Sequence, residues 1–376
     1  MNDIGPEAGG APRQGGAHSC PNCSADMVFD ATSQSLKCGH CGATVPIAGA
    51  AGQQAIVEYD LASGLAASAA TGLGAAVRTL RCQECGASVS FEERVTSTTC
   101  EFCGSAQVLP QEQNRNLIRP GSVLPFKVDQ AKASSAFKAW ISRLWFRPSD
   151  LKHRAAVSQM AGVYVPYWTF DAMVHSSWTA QAGYYYYETE HYMDRDSSGK
   201  TVHRTRQVRR TRWQPAWGSR QDFYDDVLVC ASKGIPDDLK RKLEPFDTHA
   251  LVPYTPAVLA GWKAEEYAVD LNSAWKMGLE RIEASQYQRC GADVPGDTHA
   301  ALHVTSRYAN TTFKHVLLPV WISAFRYGDK VYRFLVNGQT GEVTGKAPWS
   351  VAKIVLFILA MLGLVTAIGV IWSLLD

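Results

Sequence analysis

Eight of the ten cysteines in this 376-residue chain form two quartets with identical spacing. Each quartet has the pattern C-x2-C-x14-C-x2-C, and the second repeats the first at a constant offset. Two cysteines separated by two residues fit on one tight turn, so two such turns can direct four sulfurs at one ion. The spacing therefore predicts two metal-binding ribbons with these ligands: Cys20, Cys23, Cys38, Cys41, Cys82, Cys85, Cys100 and Cys103.

The ion predicted for each quartet is a structural Zn²⁺. Four thiolates complete a tetrahedral shell and leave no open position for water, as in structural rather than catalytic sites. Iron in a rubredoxin-like cage is the competing metal. Disulfide pairing is the other alternative, but a cytosolic chain keeps its thiols reduced. Each ribbon is too small for a sufficient core, so metal binding must supply much of its folding free energy.

An uncharged apolar run extends from Ile354 to Leu375. A helix of this length reaches about 33 Å, enough to cross the hydrocarbon core of a bilayer. A buried helix of a soluble domain is the alternative, but such helices are rarely apolar on all sides for this length. Lys346 and Lys353 precede the run, so the positive-inside rule places that side in the cytoplasm. Because residues 1–19 lack a signal-peptide core, we expect a tail-anchored, single-pass protein of the inner membrane with its bulk in the cytoplasm.

Composition divides the chain into segments. Between the quartets, 16 of 31 residues are Ala or Gly, which predicts a flexible or weakly helical spacer. The region after the second quartet mixes helix and strand patterns, which predicts an α+β domain with a largely antiparallel sheet. The expected segments are a disordered N-terminus (1–19), zinc ribbon 1 (20–47), an Ala/Gly-rich linker (48–78), zinc ribbon 2 (79–110), the α+β domain (120–348) and a transmembrane helix (354–375).

Periodicity within the α+β domain predicts two helices. Asp129 is a candidate N-cap for the first, which must end before Pro148. The second is expected over about Leu271 to Gln288, with Trp275, Leu279 and Ile282 on one side.

Two hairpins are also predicted. Gly183 to Met193 and Thr201 to Trp213 flank a Ser-Ser-Gly turn, and Val320 to Tyr327 and Lys330 to Val336 flank Gly328-Asp329. With the first turn centred near residue 197, Glu190 would lie opposite Arg204 and Glu188 near Arg206.

The arginines and tyrosines of the first hairpin have two interpretations. They suit a polar edge with gatekeeping charges, which we favour, or a surface for single-stranded nucleic acid.

The sequence carries no recognisable catalytic motif. Asp194 to Thr201 resembles a phosphate-binding loop, but it lacks the first glycine and precedes an Arg-rich strand instead of a helix. Cys230, in an apolar strand-like run, and Cys290 have no histidine nearby in sequence to activate a nucleophile. We expect no catalytic residue and no enzymatic activity.

The chain resembles a bacterial family of tandem zinc-ribbon membrane proteins. Besides the two TFIIB-type ribbons, the resemblance is carried by short motifs throughout the α+β domain. These motifs are LPF (124–126), W-x4-WFRP (140–148), GVYVPYWTFDA (162–172), DDVLVCAS (225–232), LLPVW (317–321) and VNGQTGEVTGKAP (336–348). Such proteins are often labelled as primosomal protein N′-like or helicase-like, although no helicase motor motif is present here. The resemblance implies an association with SPFH (band 7) scaffolds in membrane-stress systems.

Three functions are compatible with these features. The favoured one is a membrane-anchored adaptor or scaffold that binds proteins at the cytoplasmic face of the membrane, with the bilayer and an SPFH scaffold as expected partners. The alternative is a nucleic-acid-binding, replication-associated zinc-ribbon protein without its own motor. The formal charge of only +2 argues against a dedicated nucleic-acid binder. An enzyme with an unrecognised site in the α+β domain is the third.

Overall fold

The computed structural model describes most of the chain. The described residues are 18–30, 33, 35–47, 56–66, 72–73, 77–92, 99–112, 114, 116–149, 160–195, 197, 199–328 and 330–375. Most of the expected disordered N-terminus and much of the Ala/Gly-rich linker therefore lie outside the described residues.

The described residues contain fifteen strands and five α-helices. The strands are β1 (Met27–Asp30), β2 (Ser35–Cys38), β3 (Thr44–Pro46), β4 (Tyr59–Asp60), β5 (Val77–Cys82), β6 (Ser88–Glu92), β7 (Val108–Gln111), β8 (Ser122–Val123), β9 (Ala161–Arg195), β10 (Thr201–Cys230), β11 (Val252–Pro253), β12 (Lys263–Glu265), β13 (Thr298–Tyr327), β14 (Lys330–Asn337) and β15 (Val343–Gly345). The helices are α1 (Leu61–Ala66), α2 (Gln130–Ser142), α3 (Asp237–Lys240), α4 (Leu271–Asp293) and α5 (Val351–Leu375). Two ribbons, a sheet-rich α+β body and one apolar C-terminal helix confirm the predicted fold class.

Three long antiparallel strands organise the body. β9 lies in the middle, with β10 on one side and β13 on the other. The pairing with β13 begins at Gly183, so the β9–β10 pair continues alone from there to Arg195 and Thr201. We call the three-stranded part around β9 residues 173–183 the blade. The two-stranded extension, residues 184–195 and 201–212, is the arm.

Irregularities occur in the outer strands, whereas β9 is regular. β10 has a bulge between Tyr224 and Val227, and β13 has two, between Ala300 and His303 and between Ala309 and Thr312. The β10 bulge and the second β13 bulge lie beside the same short stretch of β9, around Asp171. Asp226 and Asn310 adopt positive φ there, 49° and 50°. A bulge bends its strand and increases the local twist, so both outer strands are bent beside this part of β9.

The first predicted hairpin is present, but its register differs from the prediction. Glu190 pairs with Arg206, and Arg204 pairs with Tyr192. The pairing centres at residue 198 and not 197, and a shift of one residue at the turn moves every cross-strand partner by two. The expected charge pairing exists with other partners: Glu190 contacts Arg206 at 2.9 Å and Arg210 at 2.5 Å.

The second hairpin forms as predicted. β13 and β14 pair from Val320 with Asn337 to Tyr327 with Lys330. Asp329 of the expected turn lies outside the described residues.

Helix α4 covers one face of the blade. Asp270 caps it by accepting from Ser273 N at 2.9 Å, and the helix ends at Asp293, five residues beyond the prediction. Tyr224 of β10 donates to Gln286 at 2.8 Å. Gly278 allows the helix to approach Phe170, because a Cβ there would lie 2.9 Å from that ring. Successive side chains of a strand point to opposite faces, so the other face of the blade is not covered by α4.

Helix α2 begins where predicted. Asp129 accepts from Lys132 N at 2.7 Å, and the helix ends at Ser142, before Pro148. Its Phe137 packs on Phe334 of β14, with ring centroids 4.6 Å apart.

The described part of the linker is docked on the body. β4 pairs with β13, and Leu61 of α1 is 4% exposed. A Cβ at Gly64 would lie 2.2 Å from the Phe313 ring, so glycine permits this approach. The short helix agrees with the weakly helical alternative of the prediction, and Leu61 anchors it in the same apolar cluster as Phe313.

Helix α5 is largely uncovered by the rest of the described residues. Its span Val351–Val370 has a mean hydropathy of 2.6, and none of its most apolar window is buried. A core helix of a soluble domain would be mostly covered. The structure is therefore compatible with a membrane-spanning helix here.

Candidate metal centres

The first quartet brings four sulfurs together at one end of a small three-stranded sheet, β1–β3. Cys20 and Cys23 precede β1, whereas Cys38 ends β2. The sulfurs of Cys20 and Cys41 are 3.4 Å apart, and those of Cys23 and Cys38 are 3.5 Å apart.

The second quartet has nearly the same geometry. The Cys82 and Cys103 sulfurs are 3.5 Å apart, and the Cys85 and Cys100 sulfurs 3.6 Å. A tetrahedral zinc site with Zn–S bonds of about 2.3 Å places its sulfurs about 3.8 Å apart. A disulfide requires about 2.05 Å. Both quartets therefore fit one structural Zn²⁺ each and do not fit disulfides.

Each cysteine turn is closed by the backbone. The residue after the second cysteine of a turn donates its N–H to the carbonyl of the first cysteine, as in Gly42 to Cys38 at 3.0 Å and Gly104 to Cys100 at 2.8 Å. These residues have positive φ, which favours glycine. Ser24 takes the same place in the first turn, with φ 57°. All four turns therefore share the same geometry, although one has serine in place of glycine.

Backbone amides favour the thiolate form of Cys38 in the first quartet. The Cys41 N–H points at Cys38 Sγ from 3.5 Å, and this hydrogen bond is the main cause that lowers the pKa of the Cys38 thiol to about 6. A thiolate is the form that binds a metal ion.

Ribbon 1 is held to the body by backbone contacts and apolar packing. Phe29 N–H donates to Ala260 O at 3.2 Å, and Trp262 Nε1 donates to Phe29 O at 3.2 Å. Met27 and Phe29 are buried in the same apolar cluster as α2 and β14.

Ribbon 2 is part of the main sheet. Its β6 pairs with β12, which in turn pairs with β9. Phe102, between Cys100 and Cys103, is 1% exposed and lies against Gly234, where a Cβ would come within 2.5 Å of its ring. Arg333 Nε donates to Phe102 O at 2.7 Å. The second metal centre is therefore built into the body.

A third cluster of potential metal ligands is acidic and consists of Asp171, Asp225 and Asp226. Sequence reasoning missed it because its members belong to two strands. Asp171 accepts from the Asp226 N–H and from Thr312 Oγ1, both at 2.7 Å. Lys314 Nζ lies 2.8 Å from Asp226. The first contact satisfies the Asp226 amide in the β10 bulge, and the second ties Thr312 at the β13 bulge to the same carboxylate, so this cluster has a structural role.

The two remaining cysteines are buried. Cys230 is 1% exposed and Cys290 is not exposed. Burial raises the pKa of the Cys230 thiol to about 12, so it stays protonated at neutral pH. The interpretation of Cys230 as a buried strand thiol is confirmed.

Comparison with known proteins agrees with the zinc-ribbon geometry. Residues 20–46 match the model of the PriA DNA helicase Cys-rich region (CRR) domain. The chain is also 27% identical over 350 residues to the uncharacterized protein YdjG of Bacillus subtilis (strain 168), covering 90% of this chain and 92% of that protein. No solved structure matches the chain. The two tetra-cysteine sites and the ribbon match support a metal-binding zinc-ribbon protein.

Proposed function

We propose that this protein is a membrane-anchored adaptor that binds a protein partner through the face of the blade opposite α4. In this proposal α5 holds the chain in the inner membrane, with the body in the cytoplasm. The zinc ribbons brace the body, and no catalytic role is assigned. The observation that carries the proposal is the composition and exposure of that face.

The blade face opposite α4 is uncovered by the described residues and rich in exposed aromatics. On β10, Trp213 is 46% exposed, Trp217 77% and Phe223 55%. The cross-strand register places Gly183, Thr179 and Met173 of β9 beside them. Tyr185 and Tyr187 continue the same face into the arm. Exposed aromatic clusters of this kind mark interaction sites, and Trp and Tyr dominate binding hot spots.

The charges on this face favour an acidic partner. The face comprises odd-numbered β9 residues 173–187, odd-numbered β10 residues 209–223, and their partners on β13, and it includes no Asp, Glu or Lys. It carries Arg209, whose guanidinium lies 4.2 Å from the Tyr185 ring centre, and Arg307. Two fixed cations are few for a nucleic-acid site, where several phosphates are neutralised. Aromatic residues and arginine without lysine are instead typical of the core of protein interfaces.

The partner to test first is an SPFH-type scaffold, because the family resemblance implies that association. The relevant partner surface would present acidic side chains around an apolar centre.

Adjacent tyrosines of the arm provide a matched pair for the test. Tyr187 is on the proposed binding face and is 68% exposed, whereas Tyr186 is on the opposite face and is 48% exposed. The tagged full-length protein is purified from detergent-solubilised membranes, and co-purified proteins are quantified. We expect Trp217→Ser and Tyr187→Ser to reduce recovery of the scaffold at least tenfold, and Tyr186→Ser to leave it unchanged.

Two results would overturn the proposal. Equal scaffold recovery by Trp217→Ser and the wild type would exclude the blade face as the docking surface. Salt-sensitive recovery of DNA or RNA, lost on Arg209→Gln, would support the nucleic-acid alternative instead.

A further inference from the structure

The loop that follows α2 is fastened to the beginning of α5. Ser350 N–H donates to Phe146 O at 2.8 Å. Arg147 stacks its guanidinium 3.6 Å from the Trp349 ring centre and donates to Ala347 O at 2.5 Å. These three contacts therefore hold residues 143–149 beside the segment that leads into the helix.

Two aromatic rings of this loop extend along the apolar part of α5. The Phe146 and Trp145 ring centres lie 5.2 and 6.4 Å from that of Phe357. Phe357 is three residues beyond Ile354, or about 4.5 Å further along the helix axis. If the uncharged run enters the hydrocarbon at Ile354, these rings lie at the boundary between headgroups and acyl chains. Trp145 is 72% exposed, so protein does not cover it.

The surroundings of the loop are cationic. Residues 130–149 and 345–375 contain no Asp or Glu, and their basic residues are Lys132, Lys138, Arg143, Arg147, Lys346 and Lys353. Of these, Lys132 pairs with Asp129 at 3.4 Å and Lys346 with Asp238 of α3 at 2.8 Å. A cleft of about 150 Å³ between the loop and α5 is lined by Arg147, Lys353, Ser142 and Ser149, among others. Cations and hydroxyl groups are suitable ligands for a phosphate.

We propose that residues 143–149 form a second membrane contact, inserting Trp145 and Phe146 into the interfacial layer beside α5. The cleft receives the phosphate of an anionic phospholipid. This inference rests on the proposed membrane anchoring by α5. Aromatic side chains favour the interfacial layer, and each nearby cation adds attraction to an anionic surface. The body is then attached at two points, which fixes its orientation relative to the bilayer.

Site-specific photo-crosslinking of the full-length protein in lipid vesicles tests this contact. A benzophenone amino acid replaces Trp145, Phe357 or Trp217 in separate variants, and the vesicles contain phosphatidylethanolamine with phosphatidylglycerol. Trp217, at 77% exposure, is a matched exposed tryptophan on the blade. We expect lipid adducts at positions 145 and 357 in similar yield, and at least tenfold less at 217.

The charge component has its own control. Lys353→Gln should lower the preference of the position-145 adduct for phosphatidylglycerol about fivefold, as expected for one cation at the surface. Lys276→Gln, an exposed lysine on α4, should leave that preference unchanged.

Each outcome of the crosslinking is decisive. Adducts at 357 without adducts at 145 would refute the second contact and leave the membrane helix intact. Absence of adducts at both positions would refute membrane anchoring itself, and with it the inference. Equal labelling at 145 and 217 would show that no defined loop faces the lipid.

Discussion

Replacing Phe102 by Ala should destabilise the body and the second metal centre together. Phe102 is 1% exposed, lies between two ligands of the second quartet, and packs on Gly234. Removing a buried phenyl ring and leaving a cavity costs about 3–5 kcal/mol. Because β6 of ribbon 2 pairs with β12 of the main sheet, we expect that loss in the unfolding of the body and not only in the ribbon.

The assay combines chemical denaturation of the detergent-solubilised protein with the rate of zinc transfer to a chromogenic chelator. In a Cys38→Ser background only the second quartet is complete, so the chelator signal reports on that site. We expect Phe102→Ala to lower the free energy of unfolding by about 3–5 kcal/mol and to accelerate zinc release. Phe223→Ala removes the same ring from a position 55% exposed and should change stability by less than about 1 kcal/mol. If Phe102→Ala accelerates zinc release but leaves unfolding of the body within that margin, ribbon 2 is an independent module and the reasoning is wrong.

Three further predictions concern the metal content, a buried histidine and the packing of the blade. Metal analysis of the intact chain should return about two Zn²⁺ per molecule, and Cys38→Ser about one, because four thiolates define each site; a value near zero in a reducing preparation would contradict both sites. His315 is buried and its Nδ1 contacts Ile118 O at 2.8 Å; burial lowers its pKa to about 4. As the pH falls below about 6.5, the unfolded state therefore binds a proton at His315 that the folded state does not bind. The free energy of unfolding is highest above that pH and falls by about 2 kcal/mol between pH 7 and 5. His315→Gln should remove this part of the pH dependence in denaturation curves, and an unchanged curve would refute the assignment. Finally, a Cβ at Gly218 would lie 2.5 Å from the Trp178 ring, so Gly218→Val should destabilise by about 1–3 kcal/mol in thermal unfolding, whereas Ser219→Val on the uncovered face should not.

The metal centres could be predicted because their information is local. A cysteine pair separated by two residues specifies its own turn, and the repeated spacing specifies which turns come together. The structure accordingly collects the eight cysteines into two clusters. The N-caps Asp129 and Asp270 are similarly local, although only the first was recognised from the sequence.

The blade could not be predicted in the same way. β9 changes from a fully buried strand at Tyr164 to Trp168 to one covered on a single face after Ala172, so no single periodicity describes it. Its pairing with β13 joins residues more than 100 positions apart, and the two bulges add residues that no local pattern reveals. The register error of two in the arm had a local cause, because the position of the turn was inferred from composition. The alternation of Trp213, Trp217 and Phe223 at odd positions of β10 was the available signal for the uncovered face.

The paired bulges beside Asp171 also have a mechanical consequence. β9 passes this point without interruption, while both neighbouring strands carry an extra residue there. Beyond it, the remaining 24 residues of β9 form a lever of about 80 Å at 3.3 Å per residue. A tilt of about 5° at the bulges would displace the tip of that lever by roughly 7 Å. A load applied by a partner at the tip would thus act through a long moment arm on the contacts between Asp171, Asp226 and Lys314 at the bulges.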